Sequence, residues 1–255
     1  EAIEKLSRLK AGALFMKMGT GKTKVALDLI TSRQHDIDLV LWLAPASLSR
    51  EPSYLAEIAK WSGGLTVPIH HFTLEGTSQS DRNYLELRKL ARDSRVFCVV
   101  DESSLAKNND AKRTKRLLAL RDDCDFRLIL NGTPVSKSLL DLHPQIAFLH
   151  PKILNMTEAQ FANHFLVYRD DGDGFGRPWK RWSRPANEAA LIEMIRPYIF
   201  DADLDIPAKL ITRRQDFSLS DDEAAQYGEL KHGVIQSAKH SNLDFFTVMT
   251  KLQTF

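Results

Sequence analysis

The stretch that most limits what this chain can fold into lies near its start. A short apolar run, Gly12–Met16, leads into Lys17, Met18, Gly19, Thr20, Gly21, Lys22 and Thr23, and then into a helical pattern over Thr23–Ser32. Strand, glycine loop and helix in that order make a phosphate-binding loop. Gly19 and Gly21 allow positive φ and a close approach to an anion with no Cβ in the way. The N–H groups freed there, together with the helix N-terminus, form a nest for phosphate. Lys22 adds a full charge near the β and γ phosphates, and the Thr23 hydroxyl suits Mg²⁺. The expected ATP-binding set is Met18, Gly19, Thr20, Gly21, Lys22 and Thr23. The common eight-residue pattern opens with glycine; here Met16 stands at that place, which leaves the shorter Gly-x-Gly-Lys-Thr.

Such a loop needs a second strand that ends in a carboxylate. Arg95–Val100 is an apolar run ending in Asp101, Glu102, Ser103 and Ser104. Asp101 is the expected Mg²⁺-associated carboxylate, with Thr23, and Glu102 the residue that orients or deprotonates the attacking water. Lys22, Asp101 and Glu102 are thus the expected catalytic set. A third strand, Phe126–Leu130, leads into Asn131, Gly132, Thr133 and Pro134. Pro134 restricts Thr133 and ends the strand sharply. A glycine and a hydroxyl here, Gly132 and Thr133, can sense the γ-phosphate or couple it to motion, although by itself the stretch reads as a turn.

Further apolar runs occur at Asp38–Ala44 and Leu65–Phe72, with helical patterns at Ser47–Trp61, Asp81–Asp93, Ala111–Leu120 and Leu139–Leu149. Near-continuous apolar strands alternating with helices predict an α/β fold: a parallel sheet flanked by helices on both faces. After Pro151 the character changes. Thr157–Phe165 and Ala186–Ile195 read as helices, and Tyr168–Pro185 as loop or hairpin with Asp-Gly and Phe-Gly steps. Lys209–Leu219 reads as a polar strand; Ser220, Asp221, Asp222 and Glu223 cap a helix to about Ala238, and a last helix starts near Leu243. The expected organisation is an ATP-binding α/β domain over 1–151, a helical and hairpin extension over 152–206, and the start of a further domain over 207–255.

The net charge of +2 is near neutral, which does not exclude nucleic acid, because binding needs a local basic face. No run approaches the roughly 18 apolar residues of a membrane span. Cys98 and Cys124 sit in apolar runs with no ligand partner at metal spacing and read as core thiols. His70, His71, His143, His150 and His164 form no metal-like pattern.

Taken together these stretches resemble helicase superfamily two, and within it the Swi/Snf-like ATPases. Met18–Thr23 is similar to motif I, Leu43–Leu48 leading to Trp61 to motif Ia, Asp101–Ser104 to motif II, and Asn131–Pro134 to motif III. Leu139–Leu142 through Phe148–Pro151 looks like the helix that follows motif III. Pro207–Lys209 and Ser220–Glu223 look like the entry into a second motor domain. The chain departs from the family at Met16 and Lys17, where acidic residues are usual, and at Ser104, where histidine is usual. The resemblance implies a RecA-like P-loop domain that uses ATP and Mg²⁺ to move on nucleic acid, most of all on double-stranded DNA, and works as a monomer. It implies that motifs four to six, with the arginine fingers, belong to a second motor half that would follow this stretch. The fragment by itself would then bind nucleotide and hydrolyse it very slowly. Motors this compact are frequent in bacteriophages and bacteria. That implies a bacterial or phage-infected host cytoplasm, or the nucleus if the source is eukaryotic.

By the same resemblance Pro45, Ser47 and Ser49 would touch DNA phosphates. The basic run Lys107, Lys112, Arg113, Lys115 and Arg116 reads either as a phosphate-facing patch or as a solvated helix face. Arg177–Arg184, with Trp179 and Trp182 between basic residues, reads either as a stacking surface for bases or as a loop docked by its tryptophans. Three other functions stay open: a conventional DNA or RNA helicase or restriction-type motor subunit; a nucleotide-gated binding module with little turnover; and an unrelated P-loop ATPase such as a loader or terminase. Against that last one stand the motif Ia loop and motif III.

Overall fold

The computed structural model describes residues 1–172, 178–203 and 220–237. Eight strands are present among them: β1 (Ala11–Met16), β2 (Leu39–Ala44), β3 (Ile69–Thr73), β4 (Val96–Val100), β5 (Phe126–Asn131), β6 (Leu166–Gly172), β7 (Pro178–Pro185) and β8 (Ile199–Ala202). Six form one sheet in the order β3-β2-β4-β5-β1-β8, with every pairing parallel. This is the α/β sheet that the alternating runs predict.

The two faces of the sheet carry separate cores. On β2, Leu39, Leu41 and Leu43 point into one layer, while Val40, Trp42 and Ala44 point into the other. β2 and β4 are buried along their whole lengths, which explains why they read as continuous apolar runs rather than alternating ones. Helices Ala2–Leu6, Lys22–Ser32 and Pro52–Trp61 cover one face. Asp81–Asp93, Lys112–Arg121 and Leu142–Leu149 cover the other. Cys98 and Cys124 are buried free thiols in that second layer.

Several expected elements differ in detail. Ser47–Trp61 is two helices, Ala46–Ser49 and Pro52–Trp61. Pro52 has no N–H to give to a continuing helix, yet its fixed φ suits the first turn of a new one. The run from Leu65 becomes strand only at Ile69, after Pro68. The helix Leu74–Gln79 stood outside the expected elements; the Thr73 side chain caps it by accepting from the Gly76 N–H at 3.0 Å. After Pro151 the two expected helices stand as Glu158–Phe165 and Glu188–Ile195, and the expected hairpin lies between them. β6 and β7 form an antiparallel hairpin, and β8 joins the main sheet beside β1, with Ala13 opposite Ile199.

Residues 1–205 form one compact unit. In the unit that follows, Asp221–Ser237 is a helix, and Ser220 and Glu223 make the reciprocal cap that the sequence predicts. The expected strand Lys209–Leu219 and the expected helix from Leu243 lie outside the described residues.

β4, β5 and β1 are consecutive in the sheet. Neighbouring strands lie about 4.8 Å apart, so the loops leaving these three carboxyl ends fall within about 10 Å of one another. The glycine loop, Asp101–Ser104 and Asn131–Pro134 are those three loops.

Candidate ATP site and nucleic-acid face

Gly19 and Gly21 both take positive φ, +79° and +84°, as the sequence requires of them. Gly21 caps the N-terminus of helix Lys22–Ser32. The Lys22 Nζ curls back over the loop and donates to the carbonyl oxygens of Met16 at 2.9 Å and Lys17 at 3.2 Å. Thr20 closes the same turn by donating to the Lys17 carbonyl. Lys17 itself pairs with Asp203 at 2.8 Å; thus the cation at this position turns toward the chain just beyond β8.

Asp101 is 5% exposed at the end of β4. Its Oδ1 accepts from the Glu102 N–H at 2.9 Å and its Oδ2 from the Tyr54 hydroxyl at 2.6 Å. Burial pushes its proton affinity up, while the Tyr54 hydroxyl, the Glu102 N–H and the charge of Lys22 oppose the rise. Glu102 is half-buried, and burial followed by the nearby Asp101 charge raises it above the ordinary carboxylate range. A carboxylate shifted toward neutrality is better matched to taking a proton from water. Glu102 also has φ 49° and ψ 51°. The left-handed region costs a non-glycine residue roughly 1–2 kcal/mol. Strain of that kind concentrates where a side chain has to be aimed.

Gly132 faces the glycine loop. A Cβ on it would lie 3.7 Å from the Met16 carbonyl oxygen and 3.9 Å from Lys22 Nζ. β5 is thus brought directly against the phosphate loop, while Thr133 is exposed beside it. Behind this contact lies a buried polar cluster that sequence reasoning did not find. Ser103 Oγ donates to Gln145 Oε1 at 2.7 Å, and Asn131 Nδ2 donates to the same oxygen at 3.3 Å. Gln145 Nε2 donates to the carbonyls of Pro134 at 2.8 Å and Asp141 at 2.6 Å. Asn131 Oδ1 accepts from the Thr133 N–H at 2.9 Å. The loops after β4 and β5 are therefore tied to each other through one glutamine of helix Leu142–Leu149.

The donors gathered here suit ATP with Mg²⁺. Open space lies above Gly21, and the charge of Lys22 acts on both acids. Thr23 and Asp101 offer hard oxygen donors of the kind Mg²⁺ takes, alongside phosphate oxygens and water. Among the described residues no cluster of three or more His, Cys, Asp or Glu side chains could hold a metal unaided, so a nucleotide would have to complete the coordination.

The residues expected at DNA occupy the neighbouring strand ends. Pro45 is buried and Ser47 exposed at the start of helix Ala46–Ser49. The Ala46 N–H donates to Glu75 at 2.8 Å, and Glu75 lies 4.0 Å from the Arg113 guanidinium. The basic run carries partners of its own. Lys107 donates to Ser136 Oγ, Lys112 pairs with Asp81 at 3.2 Å, and Lys115 sits 3.7 Å from Asp110. Arg116 is mostly buried and bonds Asp81 and the carbonyls of Thr77 and Ser80. In the second candidate stretch, Pro178–Arg184 lies on β7, while Arg177 falls outside the described residues.

With this geometry in place, comparison with known proteins gives the family. The sequence profile of the SNF2-related domain matches residues 4–244. The chain belongs to the SNF2-related domain family. Similar proteins include the ATP-dependent helicase fft3 of Schizosaccharomyces pombe, 27% identical over 173 residues, which cover 57% of this chain and 18% of that protein. The TATA-binding protein-associated factor mot1 of the same organism is 41% identical over 70 residues, 28% of this chain and 3% of that one. This SNF2-related chain therefore spans less than a fifth of the length of these relatives. The Sulfolobus solfataricus SWI2/SNF2 ATPase core, solved in complex with double-stranded DNA, matches 99% of the chain and 55% of its own, with a TM-score of 0.59 at 18% identity. That likeness concerns the fold, and it is the RecA-like arrangement implied by the motifs. No helix among the described residues is long and apolar enough to cross a membrane.

Proposed function

We propose that this chain is the ATP-binding half of a motor that couples ATP hydrolysis to translocation on double-stranded DNA. The observation that carries the reading is the meeting of three loops: Lys22 against Met16, Gly132 beside Lys22, and buried Asp101 next to Glu102. Lys22 and the N–H groups from Gly19 to Thr23 bind the phosphates. Thr23 and Asp101 hold Mg²⁺, which when bound neutralises phosphate charge. Glu102 orients the attacking water and takes its proton. Gly132 and Thr133 feel whether the γ-phosphate is present, and the Gln145 cluster passes that difference between the loops after β4 and β5.

For the polymer side we propose Pro45, Ser47, Lys107, Lys112 and Arg113. Ser47 and Lys112 are exposed and Lys107 half-exposed, so these reach phosphates. Arg113 and Pro45 shape the loop around Glu75. The duplex preference is supported by family membership and by the fold shared with a core that was solved on duplex DNA. We place the protein with its DNA, in the cytoplasm of a bacterial or phage-infected cell or in a eukaryotic nucleus, acting as a monomer.

The test is the ATPase rate of the full-length protein, with both motor halves, without nucleic acid and with duplex DNA, single-stranded DNA or RNA, at two salt concentrations. Stimulation by duplex that fades with salt is expected. Preference for single strands or RNA would replace the translocase with a conventional helicase. Absence of any stimulation would leave a nucleotide-gated binding module.

A further inference from the structure

Tyr54 has no place in the motifs, yet it makes the shortest side-chain contact to the acid of the site. It lies in the first turn of helix Pro52–Trp61. Its hydroxyl is 2.6 Å from Asp101 Oδ2, and the Trp42 Nε1 is 2.8 Å from the same hydroxyl. The direction of this chain follows from donor chemistry. An indole N–H can only donate, so the phenol oxygen must accept from Trp42. The phenol then has a single hydrogen left, and it points at Asp101, which as a carboxylate can only accept. Trp42 is fully buried on β2 and registers with Val99 of β4, two residues before Asp101. The relay is thus fixed at its far end by the sheet.

We infer that Tyr54 is a positioning residue for Mg²⁺-nucleotide binding: anchored by Trp42, it holds the Asp101 carboxylate in the acceptor orientation that the metal requires. The inference rests on the reading of Asp101 as the Mg²⁺-associated acid. With Oδ2 fixed by Tyr54 and Oδ1 by the Glu102 N–H, the carboxylate cannot rotate, and its remaining lone pairs point in set directions. Removing the hydroxyl leaves Oδ2 without its donor and the Trp42 N–H without an acceptor in a buried layer.

The test is binding of a fluorescent ATP analogue to the 255-residue chain at fixed nucleotide while Mg²⁺ is titrated. Tyr54→Phe should raise the Mg²⁺ midpoint about 10-fold, the lower end of what outer-shell partners contribute to metal affinity. Affinity for the analogue in EDTA should stay at the parent's value. Trp42→Phe keeps the hydroxyl but frees its direction, and should raise the midpoint by about threefold. Asp101→Asn should raise it most. If Asp101→Asn shifts the midpoint and Tyr54→Phe does not, the positioning role is wrong. An equal loss in EDTA and in Mg²⁺ would make Tyr54 a general support of the fold and also overturn the proposal. If Asp101→Asn shifts nothing, the assignment of the metal-side acid fails instead. Should Tyr54→Phe not fold, the Trp42→Phe midpoint decides: a shift supports the role and an unchanged value refutes it.

Discussion

Two stretches of the same sheet edge are built in opposite ways. At the ends of β4 and β5 the polar groups that tie the loops together are buried and have fixed partners: Asp101, Ser103, Asn131 and Gln145 are all at most 5% exposed. Along the basic run Lys112 and Lys115 face water, and their partners are other surface charges, Asp81 and Asp110. A polar group held in a dry cluster is costly to orphan. An exposed ion pair contributes little and exchanges readily. The first construction suits a site that must present one geometry to a nucleotide. The second suits a surface that must trade its own carboxylates for the phosphates of a polymer and then let go.

If this contrast is right, substitutions at the buried edge should have large effects and those at the exposed edge small ones. The largest effect should come from Glu102→Gln, which removes a base and keeps the shape: turnover should fall by roughly 10²–10⁴-fold with nucleotide affinity retained, as read by single-turnover hydrolysis beside equilibrium binding. Lys22→Ala should weaken nucleotide binding on the order of 100-fold, the worth of charge-assisted bonds to phosphate, measured by titration calorimetry. Gln145→Ala removes the acceptor shared by Ser103 and Asn131 and the donor to two carbonyls, and should cost about 1–3 kcal/mol of stability in denaturant melts. The exposed edge should answer only weakly. Lys107→Ala and Lys112→Ala should each lower the slope of log DNA affinity against log salt by about 1, with little change in melting temperature. A large stability loss from Lys112→Ala would break the contrast, because it would make the surface pair part of the scaffold.

The loop after β5 adds a test in pH. Burial alone would raise Asp141, but N–H groups of Lys137 and Ser136 and the Ser136 hydroxyl hold it below the ordinary aspartate value. A lowered native pKa means that the unfolded chain binds the proton more readily. The stabilisation is therefore present above the ordinary aspartate range and is lost as pH falls through the lower native value. Asp141→Asn should flatten that acid limb of the stability profile.

What could be read in the sequence follows from the range of the interactions involved. The phosphate loop was legible because its chemistry is local: Gly19, Gly21, Lys22 and Thr23 act within a few residues of one another. The parallel sheet was legible because burial on both faces leaves continuous apolar runs such as Leu39–Ala44. Tyr54 was not, because its partner is 47 residues away and an amphipathic helix gives a tyrosine no mark of its acceptor. Gln145 was hidden the same way, inside a mostly apolar helix, with partners that come from two other loops. β8 is only four residues long and follows a helix, so it carried no period to detect. The basic run shows the opposite limit. Its composition suggested either a phosphate patch or a bare face, and only the fold reveals that Arg116 is spent on Asp81 and two carbonyls.

The central claim is that three loops separated in sequence form one ATP site. Hydrogen–deuterium exchange of the chain, with and without Mg²⁺ and a non-hydrolysable ATP analogue, tests it most directly. The backbone amides of Gly19–Thr23, Asp101–Ser104 and Asn131–Thr133 should become protected together, with one shared dependence on nucleotide concentration. Protection confined to Gly19–Thr23, with the other two loops exchanging as before, would contradict the claim.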